Sequence, residues 1–183
     1  MKLRVLFAGT PDIAVPSLEA VAAGHTVVGV LTNPDRDAGR GRKTAESPVK
    51  TAAAALGLPV FQPEKLDAAF RLVVQGLAPD ILAAVAYGRI FGPKFLALFP
   101  RGGINLHPSL LPRYRGPAPI NAAILNGDRE TGITVQRLAP RMDAGDILLQ
   151  ERMPLSGRET AGSLTALAAE KGALLLARAL DLI

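Results

Sequence analysis

Residues 3–12 read Leu-Arg-Val-Leu-Phe-Ala-Gly-Thr-Pro-Asp, a short apolar run that ends in a turn. An apolar run of this length is typical of a buried strand. Thr10 followed by Pro11 favours a helix start, because the threonine oxygen can accept a hydrogen bond from a free amide and the proline sacrifices none. The stretch therefore predicts a strand over residues 3–8 and a helix over residues 13–23.

The same unit of strand and helix recurs along the chain. Further strands are predicted over residues 26–31, 59–62, 81–86, 103–107, 132–138 and 147–155, and further helices over 48–56, 67–77, 92–99, 119–126 and 160–183. This alternation predicts an α/β fold, a Rossmann-like and mostly parallel sheet with helices on both faces. The last two strands look like a hairpin and are expected to be partly antiparallel. Sheets of this kind bind ligands beyond the carboxyl ends of their strands.

The composition excludes several classes of protein. The chain has 183 residues, of which 49% are hydrophobic and 20% are charged, so one compact domain is expected. It contains no cysteine and only two histidines, which excludes a disulfide scaffold, a thiolate zinc site and a multi-histidine metal centre. The net charge of +5 permits a polyanionic partner. No stretch approaches the roughly 20 apolar residues that span a bilayer, so we predict a cytoplasmic protein.

The turn after the first strand does not match a dinucleotide-binding site. Such a site needs the pattern Gly-x-Gly-x-x-Gly, whereas residues 9–12 hold one glycine. Pro11 also removes an amide that a pyrophosphate would use. The turn therefore disfavours an NAD-dependent enzyme and favours a plain tight connection.

Asn105, Leu106 and His107 end the fifth predicted strand. Because side chains alternate along a strand, Asn105 and His107 share one face about 6–7 Å apart, and Leu106 points to the other. An amide can donate to a developing oxyanion, and an imidazole exchanges a proton near neutral pH. The pair therefore suits acyl transfer to an amine. The alternative is an asparagine that closes a turn beside a satisfied core histidine.

The loop over residues 108–116 is rich in proline and ends in glycine. These residues keep the chain extended and prevent it from pairing as a central strand. Ser109 and the unpaired backbone groups can then meet a polar ligand, to which Leu110 and Leu111 offer an apolar wall. The alternative is a rigid connecting loop.

Asp143 lies in the sequence Met-Asp-Ala-Gly-Asp, between the last two predicted strands. A simple turn is one interpretation of this composition. In the other, the carboxylate orients His107 or takes part in a proton relay.

Residues 105–116, Asn-Leu-His-Pro-Ser-Leu-Leu-Pro-Arg-Tyr-Arg-Gly, resemble a signature of the folate-dependent formyltransferase family. The segment around Asp143 and the opening Phe-Ala-Gly-Thr-Pro-Asp of residues 7–12 match in the same order. The likeness covers nearly the whole chain. It implies the formyltransferase fold and one-carbon transfer from 10-formyltetrahydrofolate to a primary amine, with no metal.

The resemblance also implies roles for individual residues. Asn105, His107 and Asp143 would be the catalytic trio. The first two would stabilise the oxyanion that forms when the amine attacks the formyl carbon, and Asp143 would hold the imidazole or accept amine protons through water. The residues implied to bind the folate are Ser109, Leu110, Leu111 and Pro112 along its border, and Tyr87, Gly88, Arg89 and Ile90 in the pterin pocket.

Residues 33–50 resemble the inserted loop of family members that act on methionyl-tRNA. Flexible glycines allow such a loop to order itself on a partner, and cations supply affinity for phosphates and base edges. The cations assigned to tRNA are Arg36, Arg40, Arg42 and Lys43. We therefore expect initiator methionyl-tRNA as the amine substrate, in translation initiation. The alternative is a solvated basic loop.

Residues 1–183 are expected to form a formyltransferase catalytic domain, without the C-terminal barrel that helps tRNA-acting members bind the tRNA body. A monomer is expected. The nearest rival is a sugar-nucleotide formyltransferase, which would not need Arg40, Arg42 and Lys43. The rival from another class is a non-catalytic folate- or nucleotide-binding module.

Overall fold

The computed structural model of the protein describes residues 2–38 and 43–183. Its strands are β1 (Arg4–Gly9), β2 (Thr26–Leu31), β3 (Arg36–Ala38), β4 (Lys43–Ala45), β5 (Val60–Phe61), β6 (Ile81–Val85), β7 (Gly103–His107), β8 (Glu130–Arg137) and β9 (Ile147–Pro154). Its helices are α1 (Val15–Gly24), α2 (Pro48–Ala55), α3 (Ala68–Leu77), α4 (Pro93–Leu96), α5 (Pro119–Leu125) and α6 (Ala161–Asp181).

Within these residues the main sheet has seven strands, in the order β5-β2-β1-β6-β7-β8-β9. The first five of these pair in parallel, whereas β8 runs antiparallel to both β7 and β9. Both the α/β class and the antiparallel C-terminal strands are confirmed. The chain order of the strands reverses between β1 and β6, and a crevice for a ligand is expected at that point.

Helices cover both faces of the sheet, which explains why its central strands are apolar throughout rather than alternating. On β1, Val5 and Phe7 pack into the core formed with α1, α2, α5 and α6. Leu6 and Ala8 pack into a second core, on the opposite face, formed with α3 and α4. All four side chains are fully buried.

The helix α6 fixes which face of β7 is available for chemistry. Thr160 caps it and forms a reciprocal capping box with Ser163, as its position before the alanine-rich run indicates. Gly172 lets the helix approach the sheet, because a Cβ there would lie 2.6 Å from Leu106 Cδ2. Leu106 therefore faces α6, and Asn105 and His107 face the other side, as the alternation of side chains predicts.

The start of α1 differs from the sequence expectation. Residues 12–14 form a single 3₁₀ turn, and α1 begins at Val15 with Pro16 in its first turn, where a missing amide hydrogen costs nothing. Thr10 does not cap this helix. Its hydroxyl oxygen instead accepts a hydrogen bond from Asn33 Nδ2 at 3.0 Å, which joins the ends of β1 and β2.

Other segments also differ from the sequence expectation. The segment between β2 and α2, where no strand or helix was predicted, contains the short antiparallel pair β3–β4. The helix predicted over residues 92–99 is limited to Pro93–Leu96, and β8 begins at Glu130, two residues earlier than expected. Ser47 caps α2, since its side chain accepts a hydrogen bond from the Lys50 amide. Among the residues described, no helix has the length and hydropathy to cross a membrane.

The packing of α6 gives a direct test of this core. Leu176 is fully buried, whereas Leu174 on the same helix is 70% exposed. We expect Leu176→Ala to lower the free energy of unfolding by about 2–5 kcal/mol, because it leaves a cavity in the core. Leu174→Ala is the control and should change it by no more than about 0.5 kcal/mol. Urea denaturation measures both, and equal effects would contradict the assigned orientation of α6.

Candidate active site

A cavity of about 630 Å³ opens at the carboxyl ends of β1, β6 and β7, where the strand order reverses. This volume lies within the range of about 300–1,000 Å³ that is common for ligand sites. Several separate segments of the chain line the cavity. Its walls include Pro11 and Ile13 after β1, residues 84–91 of β6 and its loop, 105–108 of β7 and its loop, 116–121 at the start of α5, and 136–140, 142 and 143 at the end of β8 and after it.

Asn105 and His107 both line this cavity from the end of β7. Asn105 is half-buried, and its side-chain amide makes no hydrogen bond with the rest of the described chain. His107 is only 5% exposed. One strand thus presents a free amide donor beside an imidazole that is held in place by its surroundings.

The two nitrogens of the His107 ring have different partners. Nε2 lies 2.9 Å from the carbonyl oxygen of Tyr114, and because a carbonyl only accepts, Nε2 carries a hydrogen and donates it. Nδ1 lies 3.6 Å from Asp143 Oδ2. The carboxylate that the sequence could not connect to the histidine therefore does reach it, and Nδ1 is the atom left to exchange a proton.

The Asp143 side chain is 11% exposed, and each of its carboxylate oxygens accepts a hydrogen bond. Oδ2 accepts a hydrogen bond from the Gly116 amide at 2.8 Å, and Oδ1 accepts one from Gln136 Nε2 at 3.0 Å. The Asp143 backbone has a φ of 49°, a conformation that few side chains other than Asn and Asp adopt. Strained backbone of this kind gathers at functional sites, where the surrounding contacts enforce it.

Gln136 was not identified from the sequence. It is 2% exposed, lies on β8 directly opposite Asn105, and lines the cavity. A signal was present, because an amide side chain within the otherwise apolar and β-branched run of residues 133–136 is unusual for a buried strand. Its meaning depended on the register between β7 and β8, which the sequence did not reveal.

Tyr114 supplies its carbonyl from a backbone with a φ of 56°. Its hydroxyl donates to Asp128 Oδ2 at 2.7 Å, and Arg113 contacts both oxygens of the same carboxylate at 3.0 Å. These bonds anchor the loop after β7. The contact between Tyr114 and His107 is therefore set by an ordered loop.

The residues expected to border the folate lie in the loop that follows β7. None of Ser109, Leu110, Leu111 and Pro112 lines the cavity. Ser109 is fully buried and donates to the carbonyl of Arg113, and the Leu111 amide donates to Thr134 Oγ1 at 3.2 Å. The buried Leu110 lies against Gly132 of β8, whereas Pro112 is exposed, and the role of these four residues at a folate stays a prediction. Among residues 108–112, Pro108 is the one that lines the cavity.

The other four residues assigned to the folate do line the cavity: Tyr87, Gly88, Arg89 and Ile90. Tyr87 stacks on Phe91 with ring centroids 5.2 Å apart, and burial raises the pKa of its hydroxyl. Arg89 donates to the carbonyls of Pro63 and Glu64, which ties this loop to the segment after β5. Ile90 is 75% exposed. Their role in binding folate stays a prediction.

Of the four cations assigned to tRNA, Arg36 and Lys43 lie in β3 and β4, while Arg40 and Arg42 lie outside the described residues. The base of this loop is fixed. Asp35 accepts hydrogen bonds from Lys50 and Gln62, and these hold the pKa of its carboxyl below the usual value.

Asn33, beside that base, donates to the carbonyl of Tyr87 at 2.7 Å. The same side chain donates to Thr10 Oγ1 at 3.0 Å. The base of the loop formed by residues 33–50 is thus hydrogen-bonded to the wall of the cavity.

Comparison with known proteins identifies the family. The protein-family model described as formyl transferase matches residues 1–180 of this chain. The chain belongs to the formyltransferase family. The methionyl-tRNA formyltransferase of Treponema pallidum (strain Nichols) is 56% identical over 170 residues, which is 88% of this chain and 53% of that protein. The chain spans a little over half the length of the curated relatives that it matches.

Solved formyltransferases share the fold. The phosphoribosylglycinamide formyltransferase from Streptococcus pneumoniae TIGR4 superposes with a TM-score of 0.81 at 23% identity, covering 99% of this chain and 98% of that one. An N-formyltransferase from Helicobacter canadensis, solved with folinic acid and dTDP-3-aminofucose, gives a TM-score of 0.73 at 24% identity and covers 98% of this chain and 63% of that one. The Rossmann-like formyltransferase fold is therefore confirmed.

The turn that carries Asp143 depends on Gly145. A Cβ at this position would lie 1.8 Å from the Arg137 carbonyl oxygen, so any other residue must displace the backbone. We expect Gly145→Ala to move the Asp143 carboxylate and to lower formyl transfer at least tenfold, since displacing a catalytic group by about 1 Å can cost about 100-fold.

Gly76→Ala is the matched control for this variant. Gly76 lies in α3, where an added Cβ meets nothing within 4 Å. It should leave the transfer rate unchanged and raise stability by about 0.5–1 kcal/mol. Steady-state kinetics and thermal melting separate the two variants, and an unaffected Gly145→Ala enzyme would contradict the close approach.

Proposed function

We propose that residues 1–183 are the catalytic domain of a methionyl-tRNA formyltransferase, which transfers a formyl group from 10-formyltetrahydrofolate to the amino group of initiator methionyl-tRNA. The observation that carries the proposal is the convergence of Asn105, His107 and Asp143 on one cavity. The name of relatives at 47–56% identity supports the choice of amine.

In the reaction, the amine nitrogen bonds to the formyl carbon and the bond from that carbon to the donor nitrogen breaks. Negative charge develops on the formyl oxygen between these two events. Asn105 has its amide free beside the cavity, so it donates a hydrogen bond to that oxygen. The donation costs little reorganisation because β7 already holds the side chain at the site.

The attacking nitrogen must lose a proton, and the leaving nitrogen must gain one. His107 Nδ1 and Asp143 Oδ2 lie 3.6 Å apart beside the cavity, and together they form the path for that proton. The Nε2 hydrogen is donated to the Tyr114 carbonyl. The ring therefore cannot turn to exchange protons through Nε2.

The folate co-substrate fits the cavity in size and in wall chemistry. A volume of about 630 Å³ accommodates a pteridine and the atoms that lead to the formyl group. Tyr87 and Leu138 supply apolar contact, and Asn105 and His107 supply polar contact at the inner end. The Helicobacter canadensis N-formyltransferase was solved with folinic acid, which supports a folate in this fold.

The amine is assigned to methionyl-tRNA rather than to an amino-sugar nucleotide. The sequence of residues 33–50 carries the cations that a phosphate backbone attracts, and its base is hydrogen-bonded to the cavity wall through Asn33. The charged acceptor end of a tRNA can then lie on the loop while its aminoacyl group enters the cavity. This assignment places the protein in the cytoplasm, where tRNA is aminoacylated, and a monomer is expected.

The catalytic assignment is tested by Asn105→Ala and His107→Ala. Loss of one donor to the oxyanion typically lowers kcat by about 100- to 1,000-fold, so Asn105→Ala should fall within that range. His107→Ala should lower kcat at least as far. The control is His25→Gln, a second buried histidine at the amino end of β2, which should retain the rate. Wild-type turnover in both alanine variants would refute the assignment.

The amine is tested by competition. The protein is given 10-formyltetrahydrofolate together with initiator methionyl-tRNA and an amino-sugar nucleotide, and formylated products are counted. We expect the tRNA product to dominate and to decline with rising salt, because cations on the loop contact phosphates. Preference for the sugar would favour the rival enzyme, and folate binding without any product would favour a non-catalytic module.

A further inference from the structure

Gln136 lies between the two elements that carry the candidate catalytic residues. In the antiparallel pairing of β7 with β8 it is directly opposite Asn105, so both side chains project from the same face. It is 2% exposed and still borders the cavity. It is thus a buried amide at the point where the end of β7 meets the turn that carries Asp143.

The two ends of the Gln136 amide are in different situations. Nε2 donates to Asp143 Oδ1 at 3.0 Å, whereas Oε1 is buried without a hydrogen-bond partner in the described chain. The reverse orientation of the amide would turn Oε1 toward a carboxylate oxygen, and two acceptors would then face each other. The contact with Asp143 therefore fixes the orientation of the amide even though it leaves Oε1 unpaired.

The two oxygens of the Asp143 carboxylate are held by different donors. Gln136 holds Oδ1, and the Gly116 amide holds Oδ2 on the side that faces His107 Nδ1. A carboxylate that is bound at one oxygen can rotate about its Cβ–Cγ bond, and one that is bound at both cannot. Without Gln136, the direction of Oδ2 toward the imidazole would depend on one backbone amide.

We propose that Gln136 is a positioning residue for formyl transfer, which fixes the rotation of the Asp143 carboxylate and through it the position of the negative charge beside His107 Nδ1. The inference rests on the proposed function, since it concerns the same site. Gln136 acts through Asp143 and is assigned no contact with the reacting atoms.

The main variant is Gln136→Met, which keeps the length of the side chain and removes the donor. Loss of a hydrogen bond to a charged group should lower kcat roughly tenfold or more, while KM for the formyl donor stays within about twofold. The control is Thr131→Val, which also replaces a buried polar group on β8 but lies on the face that packs against α6. It should leave both constants unchanged.

A second readout does not require turnover. The chain has two histidines, so ¹⁵N spectra contain the side-chain nitrogens of two rings. In Gln136→Met the His107 Nδ1 signal should shift, and the His25 signals should stay in place and show that the fold is intact. Thr131→Val should move neither ring. Should Gln136→Met fail to fold, Gln136→Glu keeps the shape of the glutamine, and it should shift the same signal and lower kcat further.

The outcomes separate this inference from the proposed function. An unshifted His107 Nδ1 signal, or a raised KM with unchanged kcat, overturns the role of Gln136 whatever the substrate is. A wild-type protein that formylates no amine defeats the proposed function, while the spectra still decide whether Gln136 controls the ring. A shifted signal together with a lowered kcat supports both.

Discussion

The alternation of side chains at the end of β7 is the constraint on which the site depends. Leu106 must face α6, because Gly172 leaves room for it there and the adjoining core is apolar. Asn105 and His107 are thereby turned to the opposite face, beside the cavity. A shift of β7 by one residue would send the polar pair into the hydrophobic core. The packing that stabilises the fold therefore also determines on which face of β7 these two side chains lie.

The class of fold and the grouping of Asn105 with His107 could be predicted from the sequence, because both follow from short-range patterns. Apolar runs alternating with capped helices indicated a parallel sheet, and the spacing of the two residues placed them on one face. The sequence could not show that Asp143 reaches His107, since that depends on how far the turn between β8 and β9 folds back. Gln136 was missed for the same reason, because its role follows from pairing between strands.

The difference from expectation at Thr10 has its cause in a contact between two strand ends. Thr10 is a good capping residue, but Asn33 competes for its oxygen across the ends of two strands. Ser109 and Leu111 donate hydrogen bonds to Arg113 and Thr134, and their place beside a folate stays a prediction. At Thr10, a tertiary hydrogen bond overrode a local preference that the sequence expressed correctly.

The connection between β8 and β9 is held closed by its own backbone. The Arg137 amide donates to the Asp146 carbonyl at 2.8 Å, and the same turn lets Gly145 lie against the Arg137 carbonyl. Because main-chain atoms set this closure, the position of the acid is encoded in the number of residues between Arg137 and Ile147 as much as in Asp143 itself. Lengthening this connection by one residue would keep every side chain of the site in the chain but would displace the Asp143 carboxylate from its position.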